Sequence, residues 1–153
     1  YILSTFVSKY KNKNMMTQKF HKFWLKITAI LVASFGPICF LGSMPQFSEP
    51  ARWTLDFLSW PIDGIQIYDP TTRFISAILG GFLFGFGVMI WCLSVWVYDK
   101  APEMVRKSVV IGLSSWFVLD STGSILSGNA SNALFNVVIL LSFIGPLWRP
   151  AKG

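Results

Sequence analysis

Asp120 is the only charged residue between Lys107 and Arg149, and an acid inside so apolar a stretch is costly enough to need a reason. Its sequence neighbours are polar but neutral. Ser121, Ser124 and Ser127 follow on the same segment, and Asn129, Asn132 and Asn136 come after Gly128. The three asparagines fall at i, i+3 and i+7, which puts them on one helix face. Asp120 lies eight residues before Gly128 and Asn136 eight residues after it. At 1.5 Å per residue both sit about 12 Å from a turn at Gly128. Two antiparallel helices joined there would hold Asp120 and Asn136 level. Arg73 begins another apolar segment and is long enough to reach inward toward Asp120.

Such a group offers two kinds of chemistry. Carboxylate, amide and hydroxyl groups that bond only one another lock helices together. The same groups facing a cavity bind the polar part of a ligand or pass a proton. The candidate binding residues are Asp120, Asn132, Asn136, Arg73 and Ser124, with Trp53 and Trp60 closing over them from a preceding loop.

No other constellation carries chemistry, and no catalytic residue is nominated. Serines are plentiful, but His21 is the single histidine and none is placed to activate a serine. The same shortage leaves no ligand supply for zinc or haem, so no metal and no cofactor is expected. Cys39 and Cys92 fall at different depths and read as small apolar fillers, not as a disulfide. The run Gly80-Gly81-x-x-x-Gly85-x-Gly87 sits inside an apolar segment and does not follow a strand, so it is no phosphate loop. Gly81-x-x-x-Gly85 predicts close helix contact, within the bundle in preference to between copies.

The elements that must hold these residues are membrane helices. Of 153 residues, 53% are hydrophobic and 13% charged, against about 25% charged in soluble domains. Ile27–Ser48, Phe74–Tyr98 and Ser121–Trp148 carry no charge, and a span needs about 20 mostly apolar residues. The last run is long enough for more than one helix and breaks at Ser127–Asn132. Ser108–Leu119 becomes a span only if its helix continues past Asp120. The expected fold is therefore all-α: a polytopic membrane protein with four transmembrane helices, at Leu25–Ser43, Thr72–Val97, Glu103–Ser127 and Ser131–Leu147. Residues 17–150 form this single domain. Residues 1–16 read as a flexible basic extension, with 1–14 outside the fold, and 151–153 as a tail. Phe20, His21, Phe23 and Trp24 read as a short amphipathic lead-in at the interface.

Eleven of the thirteen Lys and Arg fall at or before the start of the first span, between the second span and the first turns of the third, or after the fourth. Basic residues stay on the cytoplasmic side, so both termini are expected there and the loop 44–71 on the far side. The net charge of +6 is then a topology signal with attraction to anionic lipids, and no nucleic-acid partner is expected. Within the long loop, Ser48-Glu49-Pro50 reads as a helix start with Ser48 as cap. A short interfacial helix at Pro50–Ser59 would carry Trp53, Phe57 and Trp60 on one face and an Arg52–Asp56 pair on the other. That helix either anchors the loop at the interface or acts as a lid.

The segments Glu49-Pro50-Ala51-Arg52-Trp53-Thr54-Leu55-Asp56, Ser59-Trp60-Pro61-Ile62-Asp63-Gly64 and Pro70-Thr71-Thr72-Arg73-Phe74 resemble a family of short bacterial inner-membrane proteins. So do Trp96-Val97-Tyr98-Asp99, Trp116-Phe117-Val118-Leu119-Asp120-Ser121 and Ser131-Asn132-Ala133-Leu134-Phe135-Asn136. The likeness covers about residues 17–150. Some members carry a DNA-repair excinuclease label, which four membrane spans and the lack of a nucleotide-binding loop contradict. The plan is also similar, in architecture alone, to DoxX-like four-helix proteins. The resemblance implies a bacterial inner-membrane location and no activity. The leading expectation is a non-enzymatic accessory or partner-binding subunit, among membrane lipids, with a protein partner or a second copy. The alternative is a binder or transporter of a small molecule or lipid through the polar group around Asp120.

Overall fold

The computed structural model describes residues 17–151. The expected extension 1–16 and the residues 152–153 of the tail lie outside the described residues. The described residues form five α-helices: α1 Gln18–Gly42, α2 Glu49–Ser59, α3 Pro70–Cys92, α4 Pro102–Leu126 and α5 Ala130–Ile144. A π-helical turn at Leu93–Val97 extends α3, and a 3-10 turn at Gly145–Trp148 extends α5. With these extensions α1, α3, α4 and α5 are each long and apolar enough to cross a membrane. The described residues form an all-α membrane bundle of four helices, and α2 is the short fifth helix in the loop between the first two spans.

Local chemistry sets the ends. Thr17 caps α1, its hydroxyl accepting from the Phe20 amide at 3.3 Å. Asp69 caps α3, its carboxylate accepting from the Thr72 amide at 2.6 Å, with Pro70 in the first turn. That hydrogen bond holds the Asp69 carboxyl below its ordinary range. Pro102 opens α4, where a missing N–H costs nothing. Gly128, at φ +82°, makes the turn into α5, because only glycine takes that conformation freely.

Two boundaries differ from the sequence expectation. Helix α1 starts at Gln18 and not at Leu25, so the expected lead-in is part of the helix itself. His21, Leu25, Thr28, Ala29 and Val32 form one buried stripe that continues through it. Ser48 stands at the start of α2, but its hydroxyl turns back to the Pro45 carbonyl and caps no amide.

Helix α1 packs most closely on α3, and α4 on α5. The α1–α3 contact is made by Gly36, Gly80 and Gly87. A methyl group on Gly87 would lie 2.5 Å from the Ala33 nitrogen, whereas Gly81 and Gly85 face open space. The helix contact expected of Gly81 and Gly85 therefore belongs to their neighbours.

Away from α2, the bundle closes into a dense core of Leu25, Ala29, Val32, Ile90, Val105, Val109, Leu113, Phe143, Ile144 and Leu147. The helices' outer faces are apolar and exposed, as at Phe82, Leu119, Leu126 and Leu134. Lipid supplies no hydrogen bonds, so such a face must look like this.

Candidate functional site

Helices α4 and α5 bring Asp120 and Asn136 level, as the spacing about Gly128 requires. The Asn136 amide nitrogen donates to Asp120 Oδ2 at 2.5 Å and to Ser121 Oγ at 3.2 Å. The Asn132 amide nitrogen donates to Ser124 Oγ at 2.7 Å and to the same carboxylate oxygen at 3.3 Å. Asn136 and Ser124 are buried and Asp120 is half-buried. The amide orientations follow from the carboxylate, which can only accept when ionised. Four of the seven sequence candidates, Asp120, Asn132, Asn136 and Ser124, thus form one network.

Next to this network lies a cavity of about 320 Å³. Asp120, Asn129, Asn132 and Asn136 form its polar wall. The rest is mostly apolar: Val32, Phe35 and Cys39 from α1, Leu79, Leu83 and Phe86 from α3, Leu113 and Trp116 from α4, Ile139 and Phe143 from α5. Leu113, Trp116 and Asp120 recur at i, i+3 and i+7, so one stripe of α4 presents an aliphatic, an aromatic and an acidic group in order. The floor of the cavity is the top of the dense core, since Val32, Leu113 and Phe143 belong to both.

Helix α2 forms the roof. Ala51, Thr54, Leu55 and Leu58, at i, i+3, i+4 and i+7, line the cavity. The end of α2 is tied to the start of α5. The Ser131 hydroxyl donates to the Leu58 carbonyl at 2.8 Å, and the Asn129 amide to Ser59 Oγ at 3.3 Å. The Phe57 and Phe135 rings lie 4.7 Å apart. Tyr68, just before α3, completes the rim. Burial holds its phenol above the ordinary value, so it remains a neutral donor at physiological pH.

Three sequence candidates lie elsewhere. Trp53 and Trp60 are 67% and 60% exposed and do not line the cavity. Trp53 occupies the face of α2 opposite its roof stripe and Trp60 follows the last residue of α2, because small and aliphatic residues let α2 approach the bundle while indoles favour the membrane interface. Arg73 does not pair with Asp120. Its guanidinium reaches the Gly42 carbonyl at 3.5 Å and lies 5.9 Å from the centre of the Tyr68 ring. The Arg52–Asp56 pair is also absent. Arg52 bonds Glu49 at 2.7 Å, and Asp56 turns inward to accept the amides of Asp63 and Gly64 at 3.3 and 3.1 Å.

A second polar group, at the opposite end of the bundle, escapes sequence reasoning. Arg106 makes a bidentate pair with Glu103, both bonds 2.7 Å, and donates to the Leu147 carbonyl at 2.6 Å. His21 and Tyr98 are 1% and 2% exposed, and neither His21 nitrogen nor the Tyr98 hydroxyl has a partner among the described residues. The available signal was the helical spacing of His21 with Leu25 and Thr28, which puts the histidine on the buried stripe. Cys39 and Cys92 are free thiols, as their depths imply.

Comparison with protein-family models, with curated proteins and with solved structures finds no match.

Proposed function

We propose that this protein binds a small amphiphilic molecule inside the membrane, in the cavity beneath α2. The observation that carries this reading is the cavity of about 320 Å³ with its one acid and three amides gathered on one wall and a lining that is otherwise mostly apolar, with Thr54, Tyr68, Thr72 and Ser76 on its α2 and α3 side. Small-molecule sites have this design, with volumes of about 300–1,000 Å³. A purely structural network would consume the same side chains without leaving space beside them. The volume favours a compact single-chain or single-ring molecule over a two-tailed lipid. The accessory-subunit reading draws on the exposed apolar faces, which lipid contact accounts for equally, so the cavity favours the binder.

The resemblance to short bacterial inner-membrane proteins and the distribution of basic residues support a bacterial inner membrane, with both termini cytoplasmic and loop 44–71 periplasmic. In a variant freed of Cys39 and Cys92, a cysteine in place of Ile65 then reacts with a membrane-impermeant maleimide in cells with a permeabilised outer membrane only. One in place of Lys107 reacts only after lysis. The reverse pattern overturns the orientation.

Native mass spectrometry of gently extracted protein tests the binding reading. Wild type should retain a small molecule that Ile139→Trp, which fills the cavity, loses. If both forms are empty and the Trp variant melts no lower than wild type, the cavity is not a site.

A further inference from the structure

We propose that the head group this cavity selects is a protonated amine, an inference that rests on the ligand-binding reading above. The side chains lining the cavity include one acid, Asp120, and no Lys, Arg or His. Arg73, the nearest cation by sequence reasoning, is engaged with the Gly42 carbonyl and the Tyr68 ring instead. The two amide donors nearest the acid are already committed. Both amide nitrogens, of Asn132 and Asn136, point at Asp120 Oδ2 and at serine hydroxyls. The other carboxylate oxygen, Oδ1, accepts no hydrogen bond among the described residues. The polar wall therefore offers a ligand the free carboxylate oxygen and two amide carbonyl oxygens. These are acceptors, with a negative charge among them.

An ammonium group answers this set on both counts. It carries only donors, and its charge offsets that of the acid, an arrangement that makes hydrogen bonds stronger than neutral ones. A carboxylate or phosphate head meets like charge at this wall, where the amide nitrogens of Asn132 and Asn136 are already engaged. A hydroxyl donates once and leaves the charge unanswered. Trp116, one helical turn from Asp120 on the same stripe, adds an aromatic face beside the acid, a surface that cations favour. The apolar part of the ligand then extends over Phe86 and Leu83.

Three probes of nearly equal size separate these cases: 2-phenylethylamine, 2-phenylethanol and phenylacetate. Each is titrated into detergent-solubilised full chain, with melting temperature and native mass as readouts. The amine should bind saturably and about tenfold tighter than the alcohol, with phenylacetate weakest. Asp120→Asn, which keeps the shape, should lower amine binding to the level of the alcohol, and an unchanged helical circular-dichroism spectrum shows that the variant is folded. Ile139→Trp should abolish binding of all three. If amine and alcohol bind alike in wild type, or the amine preference survives Asp120→Asn or Ile139→Trp, the amine proposal is overturned. The first of these results leaves the cavity standing as a binding site. If no probe binds and extracted protein retains no molecule, the amine proposal and the binding reading both fall.

Discussion

Gly36 and Gly80 face each other across α1 and α3 so closely that a methyl group on either would come within 3 Å of the other's carbonyl oxygen, at 2.7 and 2.9 Å. Neither carbonyl can move without breaking its own helix. Gly80→Ala should therefore destabilise the bundle by about 1–3 kcal/mol, the usual range for overpacking a tight contact. Gly81→Ala meets nothing within 4 Å and should be neutral within about 0.5 kcal/mol. Reversible unfolding in mixed micelles measures both, and equal losses would mean that the helices are not in this register.

The Asp120–Asn136 bond ties α4 to α5 within the apolar part of the bundle. Interhelical hydrogen bonds in membranes contribute about 0.6 kcal/mol on average, up to about 1.7. A double-mutant cycle with Asp120→Ala and Asn136→Ala should give a coupling energy in that range. A coupling indistinguishable from zero would separate the two side chains.

Asp56 is 4% exposed and accepts backbone amides from the turn after α2. Asp56→Ala leaves the Asp63 and Gly64 amides without that acceptor and should cost about 1–3 kcal/mol. Limited proteolysis should then cut faster between residues 60 and 67. Asp63→Ala removes only a local bond to the Ile65 amide and should leave the rate near that of wild type. A similar rate in both variants would place the anchor elsewhere.

Asp69 gives a pH dependence with a definite sign. Its folded pKa is lowered by the Thr72 amide, so the stability it contributes is present above the unfolded value, about 3.9. That contribution is lost as pH falls through the lower, folded value. Melting temperatures of wild type and Asp69→Asn should differ at pH 6 and converge toward pH 3. A gap that widens on acidification would contradict the cap.

The helices are legible in the sequence because charge-free runs and turn residues such as Gly128 and Pro102 mark them directly. The level pairing of Asp120 with Asn136 is legible for a related reason, since a tight turn and a fixed rise leave one register. Inward-facing sides are harder to read. In a soluble protein, polarity marks the outer face. Here lipid is as apolar as the interior, so Gly80 and Gly81, or Leu58 and Trp60, look interchangeable until packing separates them. Arg73 illustrates another limit. Its reach allows several partners, and the Gly42 carbonyl together with the Tyr68 ring holds it away from Asp120. His21 was hidden because a single histidine near a span end has the composition of an interface residue.

The carbonyl of Phe143, in the last turn of α5, accepts from the Trp24 indole at 3.0 Å and the Thr28 hydroxyl at 3.1 Å. Beside it, Gly145 leaves the space that the Trp24 ring occupies, 2.7 Å from where a methyl group would stand. These contacts join the first span to the last. A chain inserted from its N-terminus must hold the Trp24 and Thr28 donors without these acceptors while α3 and α4 are made. Closing the bundle therefore needs residues 143–148, and until they are made the first span lacks its final neighbour.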